Sequence, residues 1–118
     1  MISIVDDDPS VREGLSRLLT SAGFLVNAFS SAETYLNSDQ LGKTDCLLLD
    51  VRMPGKTGVE LERQLAAKRS KVPIIFITAH GEEIAAAQAV DVRPRTVLIK
   101  PFSEEALLNA IDAALIVK

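Results

Sequence analysis

Four short apolar runs in this 118-residue chain each end in a residue that can do chemistry. Ile2–Val5 runs into Asp6 and Asp7, Cys46–Leu49 into Asp50, Ile74–Ile77 into Thr78, and Val97–Ile99 into Lys100. Three carboxylates brought together repel one another unless a cation joins them. Mg²⁺ suits such a group, because it is a hard ion that takes carboxylate, carbonyl and water oxygens and keeps several of its waters. Mn²⁺, with the same preference for oxygen, is the alternative. Asp7 and Asp50 are the expected direct ligands, with Asp6 acting through water and the backbone carbonyl of Arg52 completing the protein's share. A carboxylate is also a nucleophile toward phosphorus, and Asp50 stands centrally, between the acid pair and the Thr78/Lys100 side. Phosphoryl transfer asks a protein mainly to position groups and balance charge on the transferring oxygens. Mg²⁺ would take one oxygen, the Lys100 ammonium a second as a point charge, and the Thr78 hydroxyl with the Ala79 backbone N–H the third.

Each of these residues has a plainer role when taken alone. Asp6–Asp8 would favour an adjacent helix N-terminus, where anions are stabilised. Asp50 would cap a loop, Lys100 would be a solvated strand-end lysine, and Thr78 suits any strand. His80, the only histidine, reads first as a loop residue, and second as a group near the site that tunes water access. What carries weight is the conjunction of four strand ends in this order.

The elements that must hold those ends alternate strand and helix. Ile2–Val5 reads as strand one. Asp8-Pro9 reads as an N-cap followed by proline at the first helical position. Val11, Leu15, Leu18, Leu19 and Ala22 then recur at helical spacing, and Gly23 closes the helix. Phe24–Phe29 is expected as strand two. Ser30-Ser31-Ala32-Glu33 reads as a capping box opening a short helix through Tyr35 and Leu36. Asn37–Asp45 is a polar loop. Cys46–Leu49 is a continuous apolar strand, as in a parallel sheet buried on both faces. Arg52–Gly58 is a loop, Val59–Lys68 a helix with Val59, Leu61 and Leu65 inward, and Ile74–Ile77 strand four. The alanine-rich segment Glu82–Ala89 is a fourth helix, stopped before Pro94. Val97–Ile99 is strand five. Ser103 caps a last helix with Glu104 and Glu105 in its first turn and Leu107, Leu108, Ile111, Ala114 and Leu115 inward. Five strands alternating with five helices imply a single α/β domain over residues 1–118, a doubly wound parallel sheet covered on both sides. Ligands of such sheets bind beyond the carboxyl ends of the strands, where strand order reverses.

Val5-Asp6-Asp7-Asp8, Leu49-Asp50-Val51-Arg52-Met53-Pro54-Gly55 with Gly58, Thr78-Ala79-His80 and Lys100-Pro101-Phe102 resemble the motifs of response-regulator receiver domains. The fit covers essentially the whole chain and is closest to the FixJ-like branch. The resemblance implies a flavodoxin-like, CheY-like three-layer sandwich with a five-stranded parallel sheet in the order 2-1-3-4-5. It implies Mg²⁺-dependent phosphotransfer from a sensor histidine kinase to Asp50, and a cis peptide bond before Pro101. It also implies a readout through the face formed by the fourth helix, strand five and the last helix. That face would engage an output domain, a partner protein or a second copy of the chain, and so control an output such as transcription. Slow loss of the phosphoryl group would follow, with no separate substrate turned over. Two positions depart from the pattern: Val97 replaces the usual aromatic three residues before the lysine, and Arg93-Pro94-Arg95 replaces the usual Gly-Ala pair.

Composition narrows the alternatives. Apolar residues make up 47 % and charged residues 25 % of the chain, an ordinary balance for a folded soluble domain. A formal charge of −3 offers no basic footprint for direct nucleic-acid or membrane binding. The single cysteine, Cys46, cannot form an internal disulfide, which fits a reducing compartment, and no signal peptide precedes strand one, so a cytoplasmic location is expected. Asp6-Asp7-Asp8 contains the Asp-x-Asp pair of haloacid-dehalogenase-like phosphatases, but Pro9-Ser10 continues that motif poorly and the Asp50 loop would go unexplained. A degenerate receiver acting as a docking module is the reading that Val97 and Arg93-Pro94-Arg95 motivate. A flavin role would need a Ser/Thr/Gly-rich loop after strand one, which the sequence lacks.

Overall fold

A computed structural model of the chain describes residues 1–51, 53, 55, 57–79 and 96–116. The expected fourth helix at 82–89, together with Arg52, Pro54, Lys56, His80 and Arg93-Pro94-Arg95, lies outside the described residues. Strands β1 (Ile2–Val5), β2 (Val26–Phe29), β3 (Cys46–Asp50), β4 (Ile74–Thr78) and β5 (Thr96–Ile99) form one parallel sheet in the order β2-β1-β3-β4-β5. Helices α1 (Pro9–Ser21), α2 (Ala32–Leu36), α3 (Gly58–Ala67) and α4 (Glu104–Ile116) cover it. Among the described residues, no helix is long and apolar enough to cross a membrane.

Strand geometry sends alternate side chains to opposite faces, and the core divides accordingly. Ile2, Ile4, Cys46, Leu48, Ile75 and Ile77 pack against Leu15 and Leu19 of α1 and Leu107 and Ile111 of α4. Val5, Leu47, Leu49 and Phe76 pack on the other side against Ala32 and Tyr35 of α2 and Leu61 and Leu65 of α3. Burial on both faces is why β1, β3 and β4 read as unbroken apolar runs. Val97 is half-buried against the second of these clusters. At the edge of that core, partly buried Thr44 links the buried Tyr35 and Ser3 side chains. Thr44 Oγ1 donates to the Gln40 carbonyl at 2.7 Å and accepts from Tyr35 at 3.1 Å, with the Ser3 hydroxyl 2.7 Å away.

Several boundaries differ from the sequence expectation. Strand two starts at Val26, since Gly23 takes a left-handed φ of 96° and leaves Leu25 76 % exposed. The cap of α2 is Ser31, one residue later than expected. Its hydroxyl accepts from the Thr34 N–H, so Glu33 is not the partner of a box there. A reciprocal box does exist at α3: Thr57 accepts from the Glu60 N–H while the Glu60 carboxylate accepts from the Thr57 N–H. The helix consequently begins at Gly58 rather than Val59. The polar loop before β3 includes a 3₁₀ turn at Leu41–Lys43. Asp8 caps α1 by accepting from the Ser10 N–H, and Ser103 accepts from the Ala106 N–H ahead of α4.

Gly58 fixes where α3 meets the end of β3. Its N–H donates to the Val51 carbonyl at 3.0 Å, and a Cβ at this position would stand 2.3 Å from the Asp50 carbonyl oxygen and 3.0 Å from Val51 Cα. Those neighbours are backbone atoms and cannot rotate away. Gly58→Ala is expected to lower unfolding free energy by about 1–3 kcal/mol, the usual cost of overpacking a tight site, read as a reduced urea midpoint. Cys46, buried in β3, has its thiol pushed up to about 11 from 9.0 by burial, with the Asp45 carboxylate adding to the rise and the N-terminal ammonium opposing it. A thiol kept neutral by the fold favours folding fully below the unfolded value, and that contribution is lost as pH rises toward the folded value. Stability is therefore expected to decline between about pH 9 and 11, and Cys46→Ala should flatten that decline. In the native chain, Cys46 should resist alkylation at pH 8, measured by mass; rapid labelling would contradict the burial argument.

Candidate functional site

The sheet register assembles the site. Val5 pairs with Leu49, so the next residue of each strand brings Asp6 beside Asp50. Asp50 pairs with Ile77, placing Thr78 one step further along β4, and Thr78 pairs with Ile99, placing Lys100 one step beyond β5. All of these residues lie at the carboxyl edge of the sheet, and β1 and β3 flank the point where strand order reverses. Carboxylate oxygens of Asp6, Asp7 and Asp50 lie within 4.8 Å of one another. Asp6 and Asp50 are buried and Asp7 is exposed. At that spacing, with an effective dielectric of about 20, each ionised pair repels by roughly 3 kcal/mol or more. The donor set, three hard oxygens with one edge open to water, fits Mg²⁺.

Asp6 is the most heavily engaged of the three. Its N–H donates to the Phe29 carbonyl at 3.1 Å, tying it to β2. Its Oδ1 accepts the Asp8 N–H at 2.9 Å, turning the chain into α1, and its Oδ2 lies 3.4 Å from Lys100 Nζ. Its carbonyl accepts from Arg12 Nη1 at 2.6 Å. Lys100 is thus drawn to the fully buried Asp6 carboxylate across the site, and its own N–H donates to the Thr78 carbonyl at 2.8 Å. Thr78 is 2 % exposed and is followed by the exposed Ala79. The Val51 N–H reaches the Ile77 carbonyl at 3.4 Å, holding the Asp50 turn against β4. The Lys100–Pro101 peptide is cis.

The structure therefore brings together Asp6, Asp7, Asp50, Thr78, Ala79 and Lys100 at one edge. Arg52, whose carbonyl is the expected further ligand, and His80 lie outside the described residues. Sequence reasoning missed Arg12. Sequence spacing carries no signal for it, because Arg12 and Arg17 both lie in α1 and only the fold turns Arg12 back toward β1.

Comparisons with known proteins identify the family and the fold. The response regulator protein TodT of Pseudomonas putida is 45 % identical over 115 residues, covering 98 % of this chain and 51 % of TodT. The transcriptional regulatory protein FixJ of Bradyrhizobium diazoefficiens is 37 % identical over 114 residues, covering 97 % of this chain and 56 % of FixJ. Among solved structures, the response regulator StyR superposes with a TM-score of 0.88 at 47 % identity, covering 98 % of this chain and 59 % of that one. FixJ-N superposes with a TM-score of 0.84 at 34 % identity, covering 99 % and 94 %. The chain spans about half the length of the curated relatives it matches. Residues 2–112 match the family described as response regulator receiver domain, and with the five-stranded order 2-1-3-4-5 and these relatives, the chain belongs to that family of two-component signalling modules.

Proposed function

We propose that Asp50 accepts a phosphoryl group from a sensor histidine kinase, in a reaction that depends on Mg²⁺ held by Asp7, Asp50 and the Arg52 carbonyl, with Asp6 acting through water. The observation that carries this reading is the closeness of the three carboxylates, within 4.8 Å, beside Thr78 and Lys100 at the same sheet edge. When bound, the ion supplies positive charge that offsets repulsion among the carboxylates and on the incoming phosphoryl oxygens. An Asp50 carboxylate oxygen attacks phosphorus, forming an O–P bond as the bond from phosphorus to the donor's nitrogen or oxygen breaks. The leaving group keeps that electron pair. Lys100 offers its ammonium to one phosphoryl oxygen, and the Thr78 hydroxyl and Ala79 N–H offer hydrogen bonds to another. Because Lys100 is 3.4 Å from Asp6, engaging the phosphoryl group means exchanging one carboxylate partner for another anion.

The product carries extra negative charge at an edge that joins β1, β3, β4 and β5. A local charge change of this kind biases a two-state surface, here the face that includes β5 and α4, through which an output domain, partner protein or second copy would be controlled. Val97, half-buried in the core, makes that readout differ from one carried by a mobile aromatic. Next to Lys100, a cleft lined by Ser10, Val11, Gly14 and Leu15 of α1 and by Lys100–Phe102 offers a largely apolar surface to the phosphodonor protein. The domain binds no nucleic acid itself on this reading, works in the cytoplasm and turns over no separate substrate.

The test is incubation with acetyl phosphate and Mg²⁺ followed by intact and peptide mass. One phosphoryl adduct on Asp50 is expected, absent in Asp50→Asn and lost when Mg²⁺ is chelated. An adduct on Asp6 would favour a phosphatase-like site instead. No adduct with either acetyl phosphate or a phosphorylated histidine kinase would favour a docking module.

A further inference from the structure

We infer that Arg12 is a positioning residue for the cation site: its guanidinium, anchored on the Asp6 carbonyl, sets the orientation of the Asp6–Asp7 peptide and so the placement of both carboxylates. The inference rests on the metal reading above and assigns a role to a residue outside the ligand set.

Three observations carry it. The Arg12 Nη1–Asp6 carbonyl bond is short, at 2.6 Å, and donated by a charged group, the stronger class of hydrogen bond. It acts on the peptide unit that joins the two carboxylate residues of β1's end. The remaining polar groups of Asp6 are each held by a different element: its N–H by Phe29 of β2, Oδ1 by the Asp8 N–H, Oδ2 by Lys100. Without Arg12 the carbonyl between Asp6 and Asp7 loses its anchor, and exposed Asp7, which has the least burial of the three, loses its fixed direction. Arg12 is itself fixed on rigid structure, since its N–H donates to the Asp8 carbonyl at 3.1 Å in the first turn of α1.

The sign of the effect separates positioning from simple electrostatics. Removing a positive charge near a carboxylate cluster would by itself tighten cation binding, because the cluster becomes more negative. Removing an orienting partner weakens it, and outer-shell partners of metal ligands commonly matter by 10–100-fold in affinity. Arg12→Met keeps a long, helix-favouring side chain while deleting both donor and charge. Arg12→Lys keeps a donor and the charge. Arg17→Met makes the same charge change on the same helix at an exposed residue paired with Glu13 rather than with β1.

Mg²⁺ affinity is read by titration of backbone amide resonances in the 118-residue chain, with hydrogen exchange of the Asp7 and Asp8 amides measured in the metal-free state. Arg12→Met is expected to bind Mg²⁺ about tenfold more weakly and to exchange the Asp8 amide faster. Arg12→Lys should recover most of the affinity, and Arg17→Met should match the parent in both measurements. Unchanged or tighter binding by Arg12→Met, or a loss equal to that of Arg17→Met, would overturn the inference. Should the parent chain bind no Mg²⁺, the metal reading fails, and unchanged Asp8 exchange in Arg12→Met would then refute the positioning role independently.

Discussion

Bringing three carboxylates to within 4.8 Å costs electrostatic free energy, and the rest of the structure is arranged around tolerating it. Asp6 is buried and held from four directions, Asp50 is buried at the end of a strand packed on both sides, and Asp7 faces outward where water and ions can reach it. Such placement is possible only because parallel strands deliver their carboxyl ends to one edge, where side chains need not enter the core. The helices on either face supply the apolar burial that keeps those strands in register. Among the described residues, cations reach Asp6 from two further places, α1 through Arg12 at its carbonyl and the end of β5 through Lys100 at its carboxylate.

Much of this frame is legible in the sequence because the signals are local and redundant. β1, β3 and β4 announce themselves as continuous apolar runs, and each carries its polar residue at the end where the fold needs it. Asp8-Pro9 and Ser103 mark helix starts through side-chain oxygens that accept backbone N–H groups, a chemistry set by nearest neighbours. The candidate site was visible as the set of those strand-end residues, whose meeting follows from parallel pairing alone.

Other features depend on geometry that no short window contains. Phe24 and Leu25 are as apolar as the strand that follows, yet Gly23 in a left-handed conformation turns the chain so that Leu25 projects into solvent. Ser30 and Ser31 are chemically alike, and it is Ser31, in extended backbone, whose hydroxyl caps the helix. Thr57 and Glu60 form the reciprocal cap that a reading of the glycine-rich stretch as loop passes over. Arg12 and Lys100 converge on Asp6 from positions 6 and 94 residues away. Spacing gives no hint that one arginine of α1 turns back while Arg17 pairs outward with Glu13.

The shared register of β1, β3, β4 and β5 works as a ruler. Each reactive residue is placed by counting from a paired position: Asp6 after Val5↔Leu49, Thr78 after Asp50↔Ile77, Lys100 after Thr78↔Ile99. Length is therefore constrained unevenly along the chain. An inserted residue in the stretch from Asn37 to Asp45 can be absorbed in the loop and its 3₁₀ turn, whereas one inserted within Cys46–Asp50 shifts the carboxylate by a strand residue and turns it toward the opposite face of the sheet. Divergence of sequence in such a domain can be wide, while divergence of strand length is confined to the segments that do no counting.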